Sequence, residues 1–441
     1  MTNVVVSILM RTNNSTPLPK VVTAQAVKNK TVIVRVDLNV PLAKQGNNIV
    51  VADDRRLTAS LETINFLKQH SAKIVLISHL GRPKNNQDKH LSLAPVAKYL
   101  TQKLNIDCQF CDQVLGSKTT QAVESLNPGE VLLLENLRFE SAEKDNQPAF
   151  AQKIAKLGGI FINEAFANSH RSHASIVSLP KYLPSYAGFN LIKELESLKK
   201  LLQDPKRPFV TIVGGAKIKD KVAAIRHLAK ISDIVLLGGV VANDFLKAEG
   251  LEIYRSLVEE SGQTKGRDYI KLAHKLIDAH KTDKLLIDGY LPLPKILYPI
   301  DALAGPSLKT QDKKQLQVVD LTHDMKDKPE NVELTFGDIG PKTISLYQKV
   351  LETAKTVFWN GPMGVWENPL FSTGTKSIAQ AISQNSSIYS VLGGGDTISA
   401  LDHFKLTPNI SMISTGGGAS LEVLSGRQLV GVKAILESKL T

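Results

Sequence analysis

Two adjacent glycines are followed by three lysines at alternate positions in residues 214–221, which read GGAKIKDK. Backbone amides beside glycine and the ammonium groups of lysine are suited to binding phosphate, although the spacing is not that of a P-loop. If a helix begins near Ile218, Lys217 lies at its N-terminus and Lys221 follows one turn later on the same side. The pair is then predicted to reach phosphoryl oxygens, while Lys219 points away into solvent. The alternative, an ordinary basic first turn, is disfavoured by the helix dipole.

Glycine also follows four other apolar runs in the second half of the chain. The turns read LGGV, WNGPMG, LGGGDT and STGGGAS, at residues 237–240, 359–364, 392–397 and 414–420. Glycine lets main-chain N–H groups approach a phosphate closely, and a helix N-terminus behind the turn adds a favourable dipole. One such turn means little, but several at strand ends predict a nucleotide site.

Three polar residues accompany these glycine turns. Thr397 and Ser420 are suited to N-cap or first-turn positions of helices. Asp396 is a carboxylate beside amides that would bind phosphate, an arrangement that makes sense if a cation bridges the two groups. Mg²⁺ binds in this way, through one or two carboxylates and phosphate oxygens, so Asp396 is the predicted metal ligand.

Cationic and polar side chains follow the apolar runs of the first half. They are Asp37, Asn39, His79, Arg82, Arg138, His170, Arg171 and His173, together with Arg56 at the start of a helical pattern. Because the carboxyl ends of parallel strands share one edge of a sheet, these side chains are expected to converge. Such a cluster suits a small molecule with several phosphate or carboxylate groups, which arginine binds through paired hydrogen bonds. The alternative is a set of separate surface ion pairs.

The two halves are therefore complementary, one rich in guanidinium groups and the other in glycine turns. This predicts transfer of a phosphoryl group between two ligands, a reaction that needs alignment and charge neutralisation more than a protein nucleophile. The chain contains no G-x-S-x-G, H-E-x-x-H or kinase H-R-D motif that would favour another chemistry.

Alternating strand and helix patterns must position these residues. Apolar runs typical of buried strands occupy residues 31–37, 73–78, 131–134, 160–163, 209–213, 233–237, 356–359 and 389–392. Segments with helical periodicity lie between several of them. The alternation predicts an α/β fold with two Rossmann-like domains, each a mostly parallel sheet with helices on both faces.

A helix is predicted to join the two halves over residues 190–204, NLIKELESLKKLLQD. Its apolar face consists of Leu191, Ile192, Leu195, Leu198 and Leu202. Pro205 and Pro208 end the helix around a basic loop. We interpret it as an interdomain hinge, the alternative being a crossover helix within one large domain.

The composition limits the class of protein. A chain of 441 residues is expected to form two or three domains, and it has no apolar stretch long enough for a membrane span. The net charge is +12, with 22 basic against 14 acidic residues in positions 1–190, which favours an anionic partner. Cys108 and Cys111 form a lone C-x-x-C, a weak redox or metal signal, and the scarcity of cysteine favours a reducing, cytoplasmic setting.

Many separate motifs resemble those of the phosphoglycerate kinase family, in the family's order and from about Lys20 to near the C-terminus. They are VRVDLNVP, DDRRLTASLETI, ISHLGRP, LLLENLRFE, NEAFANSHRSH, IVGGAKIKDK, FGDIGPKTI, VFWNGPMGVWE, LGGGDT and STGGGASLE. The resemblance implies a glycolytic phosphotransferase that moves a phosphoryl group reversibly from 1,3-bisphosphoglycerate to ADP, giving 3-phosphoglycerate and ATP. It further implies Mg²⁺ dependence and direct in-line transfer on hinge closure.

The resemblance also implies a domain layout. Residues 1–20 are interpreted as an N-terminal extension, 21–188 with the tail 425–441 as the glycerate-binding domain, 189–205 as the hinge helix and 206–424 as the nucleotide-binding domain. The expected protein is a cytoplasmic monomer that acts on small molecules and binds neither nucleic acid nor a membrane.

Site residues can be assigned from the matching motifs. The glycerate site would consist of Asp37, Asn39, Arg56, His79, Arg82, Arg138, His170 and Arg171. The nucleotide site would consist of Gly215, Lys217, Lys221, Gly239, Gly337, Asn360, Pro362, Val365, Glu367, Gly394, Gly395, Asp396 and Thr397, with Glu367 on the ribose and Asp396 on Mg²⁺. The catalytic set would be Arg56, Lys217, Lys221, Gly395 and Gly418, and the amides of the glycine run 416–418 would receive phosphate oxygens.

The chain departs from the family pattern in a few places. Residues 164–167 read EAFA where the family usually has Asp-Ala-Phe-Gly, and Val240 stands where a third glycine is usual. Residues 285–305, LLIDGYLPLPKILYPIDALAG, form a longer stretch than the family leads us to expect. None of these differences removes a residue with an assigned catalytic role.

Two other classes of function are weighed against the kinase. A basic nucleic-acid-binding protein is disfavoured because no aromatic-interleaved basic motif is present. An inactive relative that only binds nucleotide is disfavoured because Lys217, Lys221, Arg56 and Asp396 are all retained.

Overall fold

The structure, a computed structural model, describes residues 17–46, 48–219, 221–259, 268–287, 291–322 and 333–438. The chain divides into two units. Unit 1 comprises Met1–Glu196 and Gln428–Thr441, and unit 2 comprises Ser197–Arg427. The N-terminal extension expected over residues 1–20 lies outside the described residues up to position 16.

Unit 1 is built on a six-stranded parallel sheet. The strands of the unit are β1 (Thr31–Arg35), β2 (Leu42–Gln45), β3 (Asn48–Val51), β4 (Lys73–Ile77), β5 (Cys108–Cys111), β6 (Val131–Leu134), β7 (Ile160–Asn163) and β8 (Ser185–Ala187). The sheet has the order β5-β6-β4-β1-β7-β8, and β2 and β3 form a separate antiparallel hairpin.

Helices cover both faces of this sheet, which is why its central strands are almost entirely apolar. Val32 and Val34 of β1 belong to one buried cluster, and Ile33 between them belongs to another. The helices are α1 (Ala24–Val27), α2 (Arg55–Ala59), α3 (Leu61–Gln69), α4 (Ala94–Leu104), α5 (Ser117–Glu124), α6 (Ser141–Lys144), α7 (Pro148–Ala155) and α8 (Phe189–Gln203).

Unit 2 contains a second six-stranded parallel sheet. The strands of the unit are β9 (Phe209–Val213), β10 (Ile234–Leu237), β11 (Lys284–Ile287), β12 (Leu291–Pro294), β13 (Ile296–Leu297), β14 (Asp301–Gly305), β15 (Gln317–Asp320), β16 (Thr335–Ile339), β17 (Thr356–Asn360), β18 (Tyr389–Gly393) and β19 (Met412–Ile413). The parallel sheet has the order β13-β10-β9-β17-β18-β19. Two antiparallel sheets, β11-β12 and β15-β14-β16, complete the unit.

The central strands of this second sheet are also buried on both faces. In β10, Ile234 and Leu236 belong to one apolar cluster, and Val235 and Leu237 belong to another. The helices are α9 (Val222–Ile231), α10 (Gly239–Ala248), α11 (Tyr269–Ala279), α12 (Pro341–Thr353), α13 (Thr373–Gln384), α14 (Gly395–His403) and α15 (Gly417–Leu424).

The last helix, α16 (Val430–Leu436), belongs to unit 1 although it follows unit 2 in the chain. Gly431 N donates to Ser169 O at 2.8 Å, and Ser438 Oγ donates to Leu183 O at 3.2 Å. A Cβ atom at Gly431 would lie 2.7 Å from the Ile176 side chain. The absence of a side chain at this position therefore lets the helix pack closely.

The α/β fold class predicted from the sequence is confirmed by the two parallel sheets with their helices. All eight predicted strand runs form strands. The sequence pattern missed the short edge strands β5, β8, β13 and β19 and the three antiparallel sheets found among the described residues. The stretch 285–305, which is longer than the family pattern, contributes most of β11 and all of β12, β13 and β14, with residues 288–290 outside the described part.

Helix α8 begins at Phe189 and crosses the division between the units at Glu196. Leu191, Ile192 and Leu198 are buried as predicted, whereas Leu195 and Leu202 are only half-buried. Leu201 is fully buried in addition, so the predicted apolar face was partly wrong at its C-terminal end.

Among the described residues, no helix is both long enough and apolar enough to cross a membrane.

The two cysteines of the C-x-x-C motif lie at the two ends of β5. Cys108 belongs to one of the two apolar clusters of unit 1 and Cys111 to the other, so they pack on opposite faces of the sheet. An extended strand separates Cα atoms three residues apart by about 10 Å, whereas a disulfide needs roughly 4.4–6.8 Å. Burial also raises the pKa of the Cys108 thiol to about 12. The pair is therefore not a redox couple.

We predict that native protein keeps both thiols reduced when treated with a mild oxidant such as oxidised glutathione. The reason is that neither thiol can reach the other and the buried thiolate is disfavoured. The check is thiol titration in denaturant after the treatment, with a sample oxidised in the unfolded state as control. A disulfide between Cys108 and Cys111 in the folded sample would contradict the strand geometry.

Candidate active site

The predicted polar residues of unit 1 lie at the carboxyl edge of its sheet. Strand β1 lies between β4, to which the chain runs next within this sheet, and β7, which pairs with its other side. The topological switch point of the sheet is therefore at the carboxyl end of β1. Asp37 and Asn39 follow β1, and His79 follows β4. Ser78 Oγ accepts a hydrogen bond from Leu38 N and donates to Val36 O, both at 2.9 Å, which holds the two exits together.

Hydrogen bonds connect the loops after β1, β4 and β6 around these residues. Arg56, near the start of α2, has NH1 3.1 Å from Asp37 Oδ2 and donates to Asn39 O at 2.9 Å. Asn39 Oδ1 accepts from Gly81 N at 2.7 Å, and Arg138 NH1 donates to Gly81 O at 2.6 Å. Gly81 has φ +61°, a conformation that side chains disfavour. The positions of the two arginines are therefore coupled through backbone groups.

The guanidinium of Arg35, at the end of β1, is fully buried next to the site residues. Its Nε donates to Ser175 Oγ at 2.9 Å, its NH1 donates to Val36 O, and its NH2 lies 3.2 Å from His79 Nδ1. Ser175 in turn donates from Oγ to Glu143 Oε1 at 2.5 Å and from its backbone N to Glu143 Oε2 at 2.9 Å. Glu143 is fully buried as well.

The arginines of unit 1 are close enough to depress one another's basicity. Burial, followed by the charge of Arg171, lowers the pKa of Arg138 to about 10. Burial and the charge of Arg82 lower the pKa of Arg171. The pKa of Arg35 is also lowered by burial, and the carboxylate of Glu143 opposes that shift. These mutual shifts place the guanidinium groups in one cluster of positive charge.

Three histidines next to the cluster are held neutral. Burial and then the charge of Arg35 lower the pKa of His79 well below its usual range. Burial and the charge of Arg171 lower the pKa of His170, and burial with Arg138 lowers that of His173 to about 4. At neutral pH these imidazoles can donate or accept hydrogen bonds without adding to the positive charge.

Two donors of the cluster have no acceptor among the described residues. Within the described part of the chain, the buried Arg138 Nε and Arg171 Nε have no hydrogen-bond partner. Buried polar groups are nearly always paired, so these two donors indicate a ligand with acceptor oxygens. Phosphate and carboxylate groups have the matching charge and geometry.

All the residues predicted for this site lie in unit 1 and are connected by hydrogen bonds or by their effects on one another's pKa. They are Asp37, Asn39, Arg56, His79, Arg82, Arg138, His170 and Arg171. The sequence interpretation missed Arg35 and Glu143. Arg35 had a signal, since it is a charged residue inside the apolar run TVIVRVD, whereas Glu143 in a short helical turn had none.

The topological switch point of unit 2 lies between β9 and β17. Main-chain atoms of the loops that follow these two strands pack against each other there. Gly214 N donates to Asn360 O at 3.0 Å, and Gly215 N donates to Pro362 O at 2.8 Å. A Cβ atom at Gly214 would lie 2.1 Å from Pro362 O, so only glycine allows this approach. Gly214 and Gly215 therefore lie directly against the turn after β17.

The position of Lys221 differs from the sequence prediction. Helix α9 begins at Val222, not near Ile218, so Lys217 lies five residues before the helix and Lys221 immediately precedes it. Lys221 Nζ contacts Gly214 O, and a Cβ atom at Gly215 would lie 2.8 Å from that ammonium. Lys217 is exposed. The expected pair of lysines one helical turn apart was wrong because the helix begins only at Val222, after both lysines.

Lys219 is exposed, as predicted, but it also has an acidic partner that the sequence did not indicate. Its Nζ lies 3.6 Å from Glu259 Oε1, and its backbone N donates to Glu259 Oε2 at 2.9 Å. Glu259 N donates to Asp244 Oδ1 at 3.2 Å, and burial raises the pKa of Asp244 to about 7. The middle lysine therefore ties the glycine loop to the segment that follows α10.

Two helix N-termini lie side by side beyond β18 and β19. Gly394, with φ +94°, is the N-cap of α14, and Gly417 begins α15. A Cβ atom at Gly417 would lie 2.9 Å from Gly394 Cα. Gly395 and Gly418, in the first turns of these helices, are exposed. The first amides of a helix have no acceptor within the helix itself, so those of Gly395 and Gly418 are suited to bind an anion.

The polar residues of these turns have structural partners. Thr397 lies in the first turn of α14, is buried, and its Oγ1 accepts from Gly361 N at 2.7 Å. Ser420 Oγ donates to Gly416 O at 3.1 Å and lies 2.7 Å from Ser414 Oγ. Both occupy first-turn positions as predicted, but the N-caps themselves are glycines.

A cavity of about 160 Å³ opens beside these elements. The predicted nucleotide residues that line it are Gly215, Gly239, Gly337, Pro362, Val365, Glu367 and Asp396. Val240 lines it as well, together with apolar side chains that the sequence interpretation missed, such as Leu257 and Phe336. Asn360, Lys217, Lys221, Gly394, Gly395 and Thr397 are not among its lining residues. An apolar cavity next to exposed amides suits a flat ring joined to phosphates.

A metal ion would have few protein ligands in this part of the chain. The described residues contain no group of three or more His, Cys, Asp or Glu side chains able to hold a metal. Asp396 is exposed in the first turn of α14 and lines the cavity. One carboxylate fits Mg²⁺, which takes most of its ligands from phosphate oxygens and water in such sites.

A family model and several relatives match almost the whole chain. The model described as phosphoglycerate kinase matches residues 22–427. The phosphoglycerate kinase of Herpetosiphon aurantiacus is 41% identical over 410 residues, which cover 93% of this chain and 97% of that protein. That of Moorella thermoacetica is 42% identical over 413 residues, with coverage of 93% and 97%.

Solved structures give the same similarity. The phosphoglycerate kinase of Coxiella burnetii has a TM-score of 0.77 and 34% identity, covering 93% of this chain and 97% of that one. That of Pyrococcus horikoshii OT3 has a TM-score of 0.78 and 31% identity, with the same coverage of 93% and 97%.

We predict that the shifted pKa of His173 makes the ligand-free protein less stable at acidic pH. Between about pH 6.5 and pH 4, the unfolded chain binds a proton at this residue that the folded chain does not bind. The free energy of unfolding then falls as the pH falls, by up to about 1.4 kcal/mol per pH unit. The measurement is urea unfolding of the wild type and of His173→Gln across this window.

The difference between the two proteins is the informative quantity. Buried carboxyls such as Glu164, whose pKa burial raises to about 8, change the stability in the opposite direction and are present in both. His173→Gln should show the shallower decline, and His274→Gln, at an exposed position, should follow the wild type. Parallel curves for wild type and His173→Gln would contradict the assignment.

Proposed function

The chain belongs to the phosphoglycerate kinase family, and from this premise we propose how its two units divide the work of phosphoryl transfer. The protein is a phosphotransferase of glycolysis and, in the reverse direction, of gluconeogenesis. It transfers a phosphoryl group reversibly between 1,3-bisphosphoglycerate and ADP, giving 3-phosphoglycerate and ATP. ADP and ATP are therefore its co-substrates.

Unit 1 is proposed to bind the glycerate ligand. The observation that carries this proposal is the cluster of arginines in which the buried Nε atoms of Arg138 and Arg171 have no partner among the described residues. A ligand with a carboxylate and a phosphate supplies oxygens to several of these donors at once. Arg56, which also contacts Asp37 and Asn39, is proposed to neutralise the transferring phosphoryl group.

The roles within the glycerate site follow from the same argument. Arg82, Arg138 and Arg171 would bind anionic oxygens, and the neutral His79 and His170 would supply hydrogen bonds. Asp37 and Asn39 would hold Arg56 and the backbone of Gly81 in place. Each assignment is a proposal that rests on contacts within unit 1.

Unit 2 is proposed to bind the nucleotide. The apolar cavity next to Gly239 and Gly337 suits the adenosine, with Glu367 at its exposed rim for the ribose hydroxyls. The paired N-termini of α14 and α15, which include the amides of Gly395 and Gly418, suit the phosphates. Gly394, Asn360, Pro362, Val365 and Thr397 would shape the same site, and Gly215 would bring the backbone close to it.

Magnesium is the metal that we propose for Asp396. When bound, Mg²⁺ neutralises charge on the nucleotide phosphates. Lys217 and Lys221 would add positive charge where the phosphoryl group is transferred. Lys217 is exposed and can reach a ligand, whereas Lys221 would have to turn from Gly214 O to do so.

The layout of domains remains part of the proposal. We assign residues 21–188 with the tail 425–441 to the glycerate domain, 189–205 to the hinge helix and 206–424 to the nucleotide domain. Supporting observations are the boundary between the two units inside α8 and the membership of α16 in unit 1. Direct in-line transfer on hinge closure belongs to this proposal, as do a monomeric state and a cytoplasmic location.

The direct test is a coupled assay of purified protein with 3-phosphoglycerate and MgATP, in which glyceraldehyde-3-phosphate dehydrogenase consumes the product and oxidises NADH. We expect turnover that disappears with excess EDTA and returns with added Mg²⁺. ATP hydrolysis without transfer to 3-phosphoglycerate would contradict the proposed function. Absence of any turnover in a folded, nucleotide-binding sample would do the same.

The division of ligands is tested by a matched pair of variants, each at an exposed cation. Arg82→Ala should raise the KM for 3-phosphoglycerate by about tenfold and leave that for ATP near the wild-type value, because one charged hydrogen bond is lost. Lys217→Ala should lower kcat by roughly a hundredfold or more with a smaller effect on nucleotide binding, because the charge it meets develops during transfer. Equal losses for both ligands in both variants would refute the division.

A further inference from the structure

The contact between Arg35 and His79 determines which ring nitrogen of the histidine carries the proton. Arg35 NH2 lies 3.2 Å from His79 Nδ1, and both side chains are buried. A guanidinium is a donor only and cannot accept a hydrogen bond. Nδ1 must therefore be the acceptor, and the neutral ring carries its proton on Nε2.

Burial, and then the charges around His79, keep the ring neutral. The groups that act on it are Arg35, Arg138, Arg171 and His173, and each of them disfavours a second proton. Together with burial they lower the pKa of His79 well below its usual range. The ring therefore remains in a single neutral form across the physiological range of pH.

Arg35 needs a fixed position to act in this way, and Glu143 provides it. The guanidinium has no exposed surface, and a buried charge of this kind is tolerated only with hydrogen bonds and a counter-charge nearby. Glu143 accepts from both the hydroxyl and the backbone N of Ser175, and the same hydroxyl accepts from Arg35 Nε at 2.9 Å. Its carboxylate is the strongest favourable charge acting on Arg35.

The hydroxyl of Ser175 donates one hydrogen bond and accepts another. Ser175 has one proton, which it gives to Glu143 Oε1, so its lone pairs face the donor Nε of Arg35. Glutamine in place of Glu143 would remove the counter-charge and would leave one acceptor oxygen for the two donors of Ser175, its hydroxyl and its backbone N. Arg35 would then lose the support that directs NH2 at His79.

We propose that Glu143 is a positioning residue that, through Ser175 and Arg35, fixes His79 as the tautomer with its proton on Nε2. That proton is then the only one the ring offers to an oxygen of the glycerate ligand. The inference rests on the proposed glycerate site for its functional meaning, but not for the tautomer itself. Neither Glu143 nor Ser175 needs to contact the ligand.

The tautomer is measured by nuclear magnetic resonance on ligand-free protein labelled with ¹⁵N in its 10 histidines. Long-range ¹H–¹⁵N correlations distinguish the two tautomers, and His79→Gln identifies the signals of His79 by their loss. In the wild type we expect His79 with Nε2 protonated between about pH 6 and pH 8. In Arg35→Met, which has no donor, we expect a mixture of tautomers.

The role of Glu143 is measured with Glu143→Gln, with Glu140→Gln as the matched control. Glu140 lies three residues earlier in the same segment and is exposed. We expect Glu143→Gln to shift the His79 signals toward a mixture and to raise the KM for 3-phosphoglycerate by about tenfold, with kcat and the KM for ATP changed much less. Glu140→Gln should match the wild type in every measurement.

A second variant covers the case in which Glu143→Gln does not fold. Ser175→Ala removes only the bridging hydroxyl, and it should shift the His79 signals in the same direction. A wild-type His79 protonated on Nδ1 would overturn the inference. So would unchanged His79 signals in whichever of these two variants folds.

The failure of this inference can be told apart from failure of the proposed function. If the coupled assay shows no transfer while His79 has its proton on Nε2 and responds to Glu143→Gln, the function is wrong and the positioning role stands. If transfer is normal while Glu143→Gln changes neither the His79 signals nor the KM for 3-phosphoglycerate, the function stands and the positioning role is overturned.

Discussion

Crowding of positive charge at the carboxyl edge of the first sheet is the constraint on which the rest of unit 1 depends. Several guanidinium groups share a space in which each lowers the pKa of the next. Such an arrangement is stable only where backbone carbonyls and buried carboxylates hold each group in place. Gly81 O holds Arg138, Asn39 O and Asp37 hold Arg56, and Glu143 holds Arg35 through a serine. The histidines remain neutral as a consequence, so the site binds anions with guanidinium groups and donates hydrogen bonds with imidazoles.

Unit 2 is constrained by the close approach of backbone segments, and glycines make this approach possible. Its switch point brings two loops so close that a Cβ atom at Gly214 would clash with Pro362 O, and two helix N-termini meet where Gly417 contacts Gly394. Glycine is required at these places by the distance between backbones, and not only by the need to expose amides. The same glycines leave main-chain donors accessible, so close packing and anion binding have one structural cause.

The sequence predicted the fold well because the central parallel strands are buried on both faces and read as continuous apolar runs. It failed at edge strands such as β13 and β19, which have two residues each and therefore too few side chains for a pattern. It also failed at Lys221, because the first turn of a helix and a loop of the same composition look alike without the contact to Gly214 O. Glu143 was invisible for another reason, since its importance comes from Ser175, which lies 32 residues away in the chain. The residue-type clusters at strand ends were predictable, but the partners that orient them were not.

The return of the chain to unit 1 has a consequence for biosynthesis. Residues 428–438 are translated after all of unit 2, yet they supply the partners of Ser169 O and Leu183 O. On the ribosome, the first unit therefore emerges with this surface uncovered, while the second can complete its own sheet without any segment from elsewhere. A nascent polypeptide that stops at residue 427 contains the strands of both parallel sheets. It lacks α16, the helix that packs on unit 1.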